Sequence, residues 1–303
     1  MKALLIVNPI SGTSSTAKQA AINAAKHMLP QAGIELDIAY TEGRGHATEL
    51  AARAARAKVP IIIAAGGDGT VNETAQGLVF TNSTMGILPC GSGNGLARHL
   101  AIPMKPEKAV EVIIRGREEK IDYCTANDEA FFCTFGMGFD AAVSDRFASR
   151  PDRRGLRNYV RAAIEVFLSY KRQEYEIITP NGKFHDKAFI VACCNASQYG
   201  NDTFIAPWAS VTDGMIDVTI LKSRTWLGHL ISGAQTMLGS LSESGRVAHL
   251  RAPEVVIKRR PGPSHLDGEV ASLGEEIHVK CLNQALKVFT PGEMKVKPFW
   301  RRR

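Results

Sequence analysis

The strongest constraint on this chain is the grammar of its first 120 residues, in which short apolar runs alternate with helical segments and each run ends in a small or glycine-rich loop. Residues 3–7 form a continuous apolar run, 16–29 are alanine-rich and helical, 35–40 alternate as a strand does, and 46–57 are helical again. Residues 60–65 and 86–88 read as buried strands, with helices at 71–78 and 106–115. Such alternation predicts a parallel sheet covered on both faces, whose ligands sit at the carboxyl ends of the strands. The loops on that edge are Asn8-Pro9-Ile10-Ser11-Gly12, residues 41–46, Gly66-Gly67-Asp68-Gly69-Thr70 and Gly91-Ser92-Gly93-Asn94-Gly95. Glycine lets backbone approach a phosphate, and the helix that follows aims N–H groups and its positive dipole end at the anion. None of the loops is a Walker A sequence and the first lacks GxGxxG spacing, which argues against P-loop and ordinary Rossmann sites.

After Lys120 the pattern changes to paired strands. Residues 121–126 and 130–135 flank Asn127-Asp128-Glu129, 174–179 and 187–195 flank Pro180-Asn181-Gly182, and 275–281 and 285–290 flank Leu282-Asn283-Gln284, each pair reading as a hairpin. A mainly antiparallel second domain is predicted over 125–291, after an α/β domain at 1–124 that residues 292–303 complete. Two apolar stripes at helical spacing, one over 156–168 and one over 226–241, are expected to face the core.

Charge locates where anions would be met. The 303 residues carry a formal net charge of +7, and residues 146–172 hold eight basic against two acidic side chains. This segment, with Arg150, Arg153, Arg154 and Arg157, and the tail Trp300-Arg301-Arg302-Arg303 are candidate contacts with an anionic bilayer. Solvated faces are the plainer reading, and no nucleic-acid recognition motif is present. The six cysteines show no CxxC spacing, so reduced thiols in a cytoplasm are expected. The apolar start is too short for a signal-peptide core, and no run approaches the ~20 residues of a membrane span. Any membrane contact is therefore expected to be peripheral.

Asp68 is the odd member of its loop. A carboxylate among glycines repels phosphate unless a cation or a hydroxyl proton lies between them, and Mg²⁺ bridging nucleotide phosphates would resolve the conflict. Capping its own helix is the competing use, one equally open to Thr70.

The run Gly66-Gly67-Asp68-Gly69-Thr70-Val71-Asn72-Glu73 resembles the signature of the diacylglycerol kinase catalytic-domain superfamily, which includes sphingosine and ceramide kinases. The likeness extends through Asn8-Pro9, Ser11-Gly12, Gly45-His46-Ala47, residues 89–97, residues 136–142, Asp213-Gly214 with Asp217, and Asp267-Gly268-Glu269. It implies an NAD-kinase-like α/β domain, a β-sandwich domain, and transfer of phosphate from ATP to a hydroxyl of a membrane lipid. By the same resemblance, Asn8, Ser11, Gly12, Thr41, Gly66, Gly67, Asp68, Gly69, Thr70, Val71, Asn72, Ser92 and Asn94 hold ATP, and Glu269 is the proton acceptor; taken without the other motifs, Asp267-Gly268-Glu269 reads as a plain turn. Asp140 matches a position that meets the polar lipid head. Asp213, Asp217 and the carbonyl of Met215 between them match a second Mg²⁺ site, a turn opening the next strand being the other reading. Bacterial diacylglycerol kinases commonly carry an acid where this chain has Gly95, so Gly91-Ser92-Gly93-Asn94-Gly95-Leu96-Ala97 resembles more closely the sphingosine and ceramide kinase branch. That counts against diacylglycerol within an acceptor set of sphingoid base, ceramide and diacylglycerol. An NAD-kinase-like activity on a soluble nucleotide and a catalytically silent lipid-binding protein are the alternatives, and homo-oligomerisation is left open.

Overall fold

Isoleucine and alanine fill β3 (Ile61–Gly66), and all six of its residues are buried, which requires cover on both faces of the sheet. The structure, a computed structural model, describes residues 1–9, 15–149 and 156–292. Ser11, Gly12, Arg150, Arg153, Arg154 and the tail from residue 293, all singled out above, lie outside the described residues, as does the side chain of Arg157.

Contacts divide the chain into two units, the first comprising residues 1–123 with 284–292 and the second residues 124–283. In the first, β1 (Lys2–Val7), β2 (Glu35–Tyr40), β3 and β4 (Thr84–Pro89) run parallel in the order β2-β1-β3-β4. All four therefore end on one edge, where the loops emerge. Helix α1 (Ser15–Gln31) packs with α5 (Pro106–Arg115), and α2 (His46–Arg56) with α3 (Asp68–Gln76); α4 (Gly95–His99) is a single short turn.

The second unit is antiparallel. Strand β5 (Arg117–Ala126) leads into it, followed by β6 (Glu129–Phe131), β7 (Thr134–Gly138), α6 (Phe139–Ala148) and α7 (Leu156–Ser169). Then come β8 (Gln173–Thr179), β9 (Gly182–Ala188), β10 (Ile190–Cys194), β11 (Ile216–Leu221), α8 (Trp226–Leu238), β12 (Val247–Ala252) and β13 (Glu254–Arg259). The hairpin β14 (Ser264–Leu266) and β15 (Glu269–Ala271) precedes the long β16 (Glu276–Thr290). One sheet has the order β12-β11-β10-β7-β14-β15, and its layer partner is built from β9, β8, β13 and the first part of β16. Alternate residues of both sheets, among them Phe135, Met137, Val191, Val218, Tyr175, Ile177, Val255 and Ile277, form one buried core, as a sandwich demands. The parallel α/β unit and the antiparallel sandwich are the two architectures predicted from the sequence.

Two expectations need correction. Leu282-Asn283-Gln284 is not a hairpin turn; β16 continues through it, with one left-handed residue at Gln284 (φ 53°). Its residues 276–280 pair antiparallel with β13, Val288 pairs in parallel with Met85, and the boundary between units falls at 283/284. The apolar stripes of α7 and α8 also do not simply face the core. On α7, Val160, Ile164 and Leu168 are exposed, and on α8 so are Trp226, Leu227, Leu230, Ile231 and Met237. Periodicity locates an apolar stripe but not the side on which the protein lies, and α8 is buried through Gly228, Ser232 and Thr236.

Candidate active site

At the loop edge of the first unit, α3 supplies two carboxylates that tie neighbouring loops together. Asp68, in its first turn, accepts the backbone N–H of Asn94 (Oδ2, 2.8 Å) and of Gly95 (Oδ1, 2.6 Å). It thus caps α4, the neighbouring helix, as well as opening its own, a use that a reading of local spacing misses. Glu73, one and a half turns further along, accepts the N–H of Gly45 at 2.9 Å and of Ala47 at 3.3 Å, while its own carbonyl takes the Thr48 hydroxyl at 2.8 Å. The third loop consequently holds the second and the fourth.

Backbone contact explains the glycines here. A Cβ on Gly91 would lie 2.6 Å from the Cα of Gly67, so the third and fourth loops touch main chain to main chain. Asn94 closes the fourth loop from inside: its amide accepts from the Gly91 N–H (2.9 Å) and donates to the Gly91 carbonyl (2.7 Å), and its φ of 53° is a left-handed value that asparagine tolerates. The side chains of Thr41, Thr70, Val71 and Asn94 are buried, those of Asn8, Asp68 and Asn72 are half-buried, and Ser92 is exposed. Lys18, itself buried, donates from Nζ to the Pro9 carbonyl at 2.8 Å and steadies the loop after β1.

In the second unit, Asp267 and Gly268 form a two-residue β-hairpin turn with φ values of 50° and 88°, pairing Leu266 with Glu269. Asp267 clamps that turn. Its Oδ1 accepts the N–H groups of Cys133 (2.8 Å) and Thr134 (2.9 Å), its Oδ2 accepts that of Phe132 (2.9 Å), and its own N–H donates to the Thr134 carbonyl at 2.8 Å. Glu269, the first residue after the turn, is exposed. An exposed carboxylate on a pinned hairpin is suited to reach a substrate.

Asp140 sits in the first turn of α6 and is buried. Its carboxylate accepts the Ala141 N–H (2.8 Å) and the Tyr199 hydroxyl (2.7 Å), and Oδ2 lies 3.1 Å from Nε2 of the buried His265. Nδ1 of His265 in turn lies 3.4 Å from the Gly268 N–H. The residue matched to a lipid-head contact is therefore an internal acceptor linked through His265 to the turn before Glu269. Gly136 makes room for this pair: a Cβ there would fall 2.1 Å from His265 Nε2 and 2.5 Å from Asp140 Oδ2. His265 escapes a search for phosphate loops and acids, and Glu73 and Asp267, although they lie inside the motifs, carry there no sign of the loops they hold.

The segment matched to a second Mg²⁺ site is organised differently. Asp213 pairs with Arg251 and accepts the Met215 N–H at 3.1 Å, while Asp217 Oδ1 lies 2.7 Å from His249 Nε2 and 3.7 Å from Arg251 Nε. Asp217 Oδ2 is buried without a hydrogen bond, an acceptor left open beside this pair. Asp213, Asp217 and the Met215 carbonyl are hard oxygen donors of the kind Mg²⁺ takes beside its waters; in this structure Arg251 and His249 of β12 hold the two carboxylates and so tie the start of β11 to β12. Among the described residues, no three His, Cys, Asp or Glu side chains gather as they would around a metal ion.

A parallel sheet with a glycine-loop edge, followed by an antiparallel sandwich, is the two-part architecture that the family models matching this chain describe, a kinase catalytic domain and an NAD kinase beta sandwich-like domain. Residues 2–126 match the diacylglycerol kinase catalytic domain, and residues 133–290 match the YegS C-terminal NAD kinase beta sandwich-like domain. The chain belongs to this diacylglycerol kinase family, and membership makes it a phosphotransferase. It is 30% identical over 82% of its length, and 82% of the relative's, to a Chromohalobacter salexigens protein named "Probable lipid kinase YegS-like". It is 29% identical to the diacylglycerol kinase of Bacillus subtilis, covering 90% of this chain and 91% of that one. A solved diacylglycerol kinase structure from Bacillus anthracis shares the fold with a TM-score of 0.73 at 22% identity, over 95% of this chain and 96% of that one.

Proposed function

We propose that this protein transfers the γ-phosphoryl group of ATP, delivered with Mg²⁺, to a hydroxyl of a membrane lipid: a sphingoid base, ceramide or diacylglycerol. The observation that carries the reading is the exposed Glu269 on a turn clamped by three N–H bonds to Asp267. A phosphoryl acceptor must lose its proton as it attacks, and a carboxylate held by a rigid hairpin can take it.

In this scheme the N–H groups of the loops at Asn8, Thr41, 66–72 and 92–94 orient the phosphates. Asp68 and Glu73 hold those loops in register, and the negative charge of Asp68 would favour a cation carried by the nucleotide. The lipid oxygen forms its bond to the γ-phosphorus as the bond to the bridging oxygen breaks, ADP leaves, and the hydroxyl proton passes to Glu269. The tie from Asp140 through His265 keeps that hairpin in place. The basic residues of 146–172 favour the surface of an anionic membrane as the place of reaction. Among the described residues no helix is long and apolar enough to cross one.

The test is to incubate the protein with labelled ATP, Mg²⁺ and micelles of diacylglycerol, ceramide and sphingoid base in turn, and to identify the labelled product. A phosphorylated lipid is expected. Labelled NADP from added NAD with no lipid product, or lipid binding with no consumption of ATP, would overturn the proposal.

A further inference from the structure

Helix α8 is built inside out. Its thirteen residues contain no Asp, Glu, Lys or Arg, and the stripe it turns to the protein is Gly228, Ser232 and Thr236. Small residues let it lie close: a Cβ on Gly228 would stand 3.2 Å from Ser223, Ser223 and Ser232 share a hydroxyl contact at 3.4 Å, and the Phe204 N–H donates to the Thr236 carbonyl at 2.8 Å. The large apolar side chains point outward, with Met237 67% and Trp226 66% exposed. His229 is the helix's one titratable group, and burial together with the nearby Arg172 charge holds its imidazole below the ordinary value. The helix is thus uncharged at neutral pH.

Helix α7 adds to the same surface. Phe167 meets the His229 ring edge-on at 6.2 Å, which sets the end of α7 beside the start of α8, and Arg172 donates to the Lys222 carbonyl at 3.4 Å. The outward α7 stripe is Val160, Ile164 and Leu168, the last 81% exposed. Where the two faces meet, Lys171, Arg172, Lys222 and Arg224 cluster in sequence stretches, 166–172 and 222–242, that contain no acidic residue.

We propose that the outward faces of α7 and α8 form a membrane-insertion surface, with α8 lying in the interface of an anionic bilayer. An apolar patch of this kind marks an interaction site. Its uncharged apolar helix, the tryptophan at one end and the cationic margin are the features of interfacial helices on anionic lipid. A second copy of the chain is the less suitable partner, because a two-fold contact sets a patch against itself and would oppose the four cations. The proposal deepens the lipid-kinase reading and rests on it for the choice of substrate surface, but not for the existence of the patch.

The test uses vesicles of phosphatidylglycerol and phosphatidylcholine, without nucleotide. The variant carrying Leu227→Gln, Leu230→Gln and Met237→Gln should keep the wild-type melting temperature, since all three side chains face outward, and should bind vesicles at least tenfold more weakly. Lipids brominated in the acyl chains should quench emission from Trp226, read as the difference between wild type and Trp226→Phe. Wild-type binding should weaken but persist in 1 M salt, where charge is screened within about 3 Å. Vesicle affinity of the triple variant within threefold of wild type, or absence of quenching from Trp226, overturns the proposal. So does a wild-type dimer that the triple variant cannot form, with no vesicle binding. Phosphate transfer to a short-chain acceptor below its micellar concentration separates the two readings: docking without transfer to any lipid overturns the kinase reading alone, and transfer without docking overturns the insertion surface alone.

Discussion

Asp267→Asn isolates the hairpin clamp from every other property of the turn. Asparagine tolerates a positive φ as well as aspartate does, so the φ of 50° at this position is not strained by the change. What changes is the acceptor. An amide can keep its oxygen toward the Cys133 and Thr134 N–H groups, but its NH₂ then faces the N–H of Phe132, leaving that donor unpaired and weakening the other two bonds from charged to neutral. Hydrogen bonds to charged groups contribute about 1.5–3 kcal/mol and neutral ones about 1 kcal/mol, so a loss of about 2–4 kcal/mol is expected. With a urea dependence of roughly 2–3 kcal/mol per molar, the unfolding midpoint of the second unit should fall by about 1 M, followed by tryptophan fluorescence. Phosphate transfer should fall as well, through poorer placement of Glu269 and with little change in nucleotide affinity. A midpoint within about 0.2 M of wild type, on the same urea scale, would refute the reasoning, since the three N–H bonds would then not anchor the hairpin.

Glu269→Gln should bind ATP with Mg²⁺ almost normally yet transfer phosphate about 10²–10⁴-fold more slowly; loss of nucleotide affinity in proportion to rate would place the residue with the phosphates instead. Asp68→Asn should raise the KM for ATP and depress turnover by ~10²-fold or more, because one of two N–H groups in the fourth loop loses its acceptor; unchanged kinetics in a variant of unchanged melting temperature would remove Asp68 from the site. Gly136→Ala forces a methyl group to within 2.1 Å of His265 Nε2 and should cost about 1–3 kcal/mol by overpacking, read as a lower melting temperature; an unshifted melt would contradict the close packing of Asp140 and His265. His99 is buried, and burial alone lowers its pKa from 6.5 to about 4. The unfolded chain therefore takes up a proton that the folded one refuses as pH falls from 6.5 towards 4, and stability should drop by up to about 3 kcal/mol over that window. His99→Gln should show a shallower slope there, and parallel curves for the two proteins would exclude the assignment.

The parallel sheet was legible because its strands are buried on both faces: a run such as Ile61-Ile62-Ile63-Ala64-Ala65 has few other uses, and the loop after it announces the site. Asp267-Gly268 was legible for a local reason too, since aspartate and glycine both accept the positive φ of a tight turn. Pairings across long stretches of chain were not. Asp140 and His265 stand 125 positions apart, and nothing near either residue marks its partner. Asp68 was recognised as unusual, yet its two N–H donors lie on another loop. Strand β16 was misread because Asn283 and Gln284 look like a turn, whereas they mark the point where one strand leaves the sandwich and joins the first sheet. Helix α8 was misread because its buried stripe is made of glycine, serine and threonine, residues a periodicity scan assigns to solvent.

The chain leaves the first unit after Tyr123 and returns at Gln284, and the Gln284 N–H donates to Asp122 Oδ1 at 2.8 Å. Exit and re-entry are therefore a single hydrogen bond apart, and the 160 residues between them are, in effect, a cargo looped out through one doorway. On the ribosome the first sheet emerges with β4 bare on one side, and its neighbour, carried by Val288, arrives only after the whole sandwich has been synthesised. At roughly 5–20 residues per second, that edge waits some ten to forty seconds for its last strand. The order of synthesis makes the N-terminal half the vulnerable partner in folding. It also suggests where the chain can be cut: joining Tyr123 to Gln284 through a short turn should leave a first unit whose sheet is complete from the moment it is released.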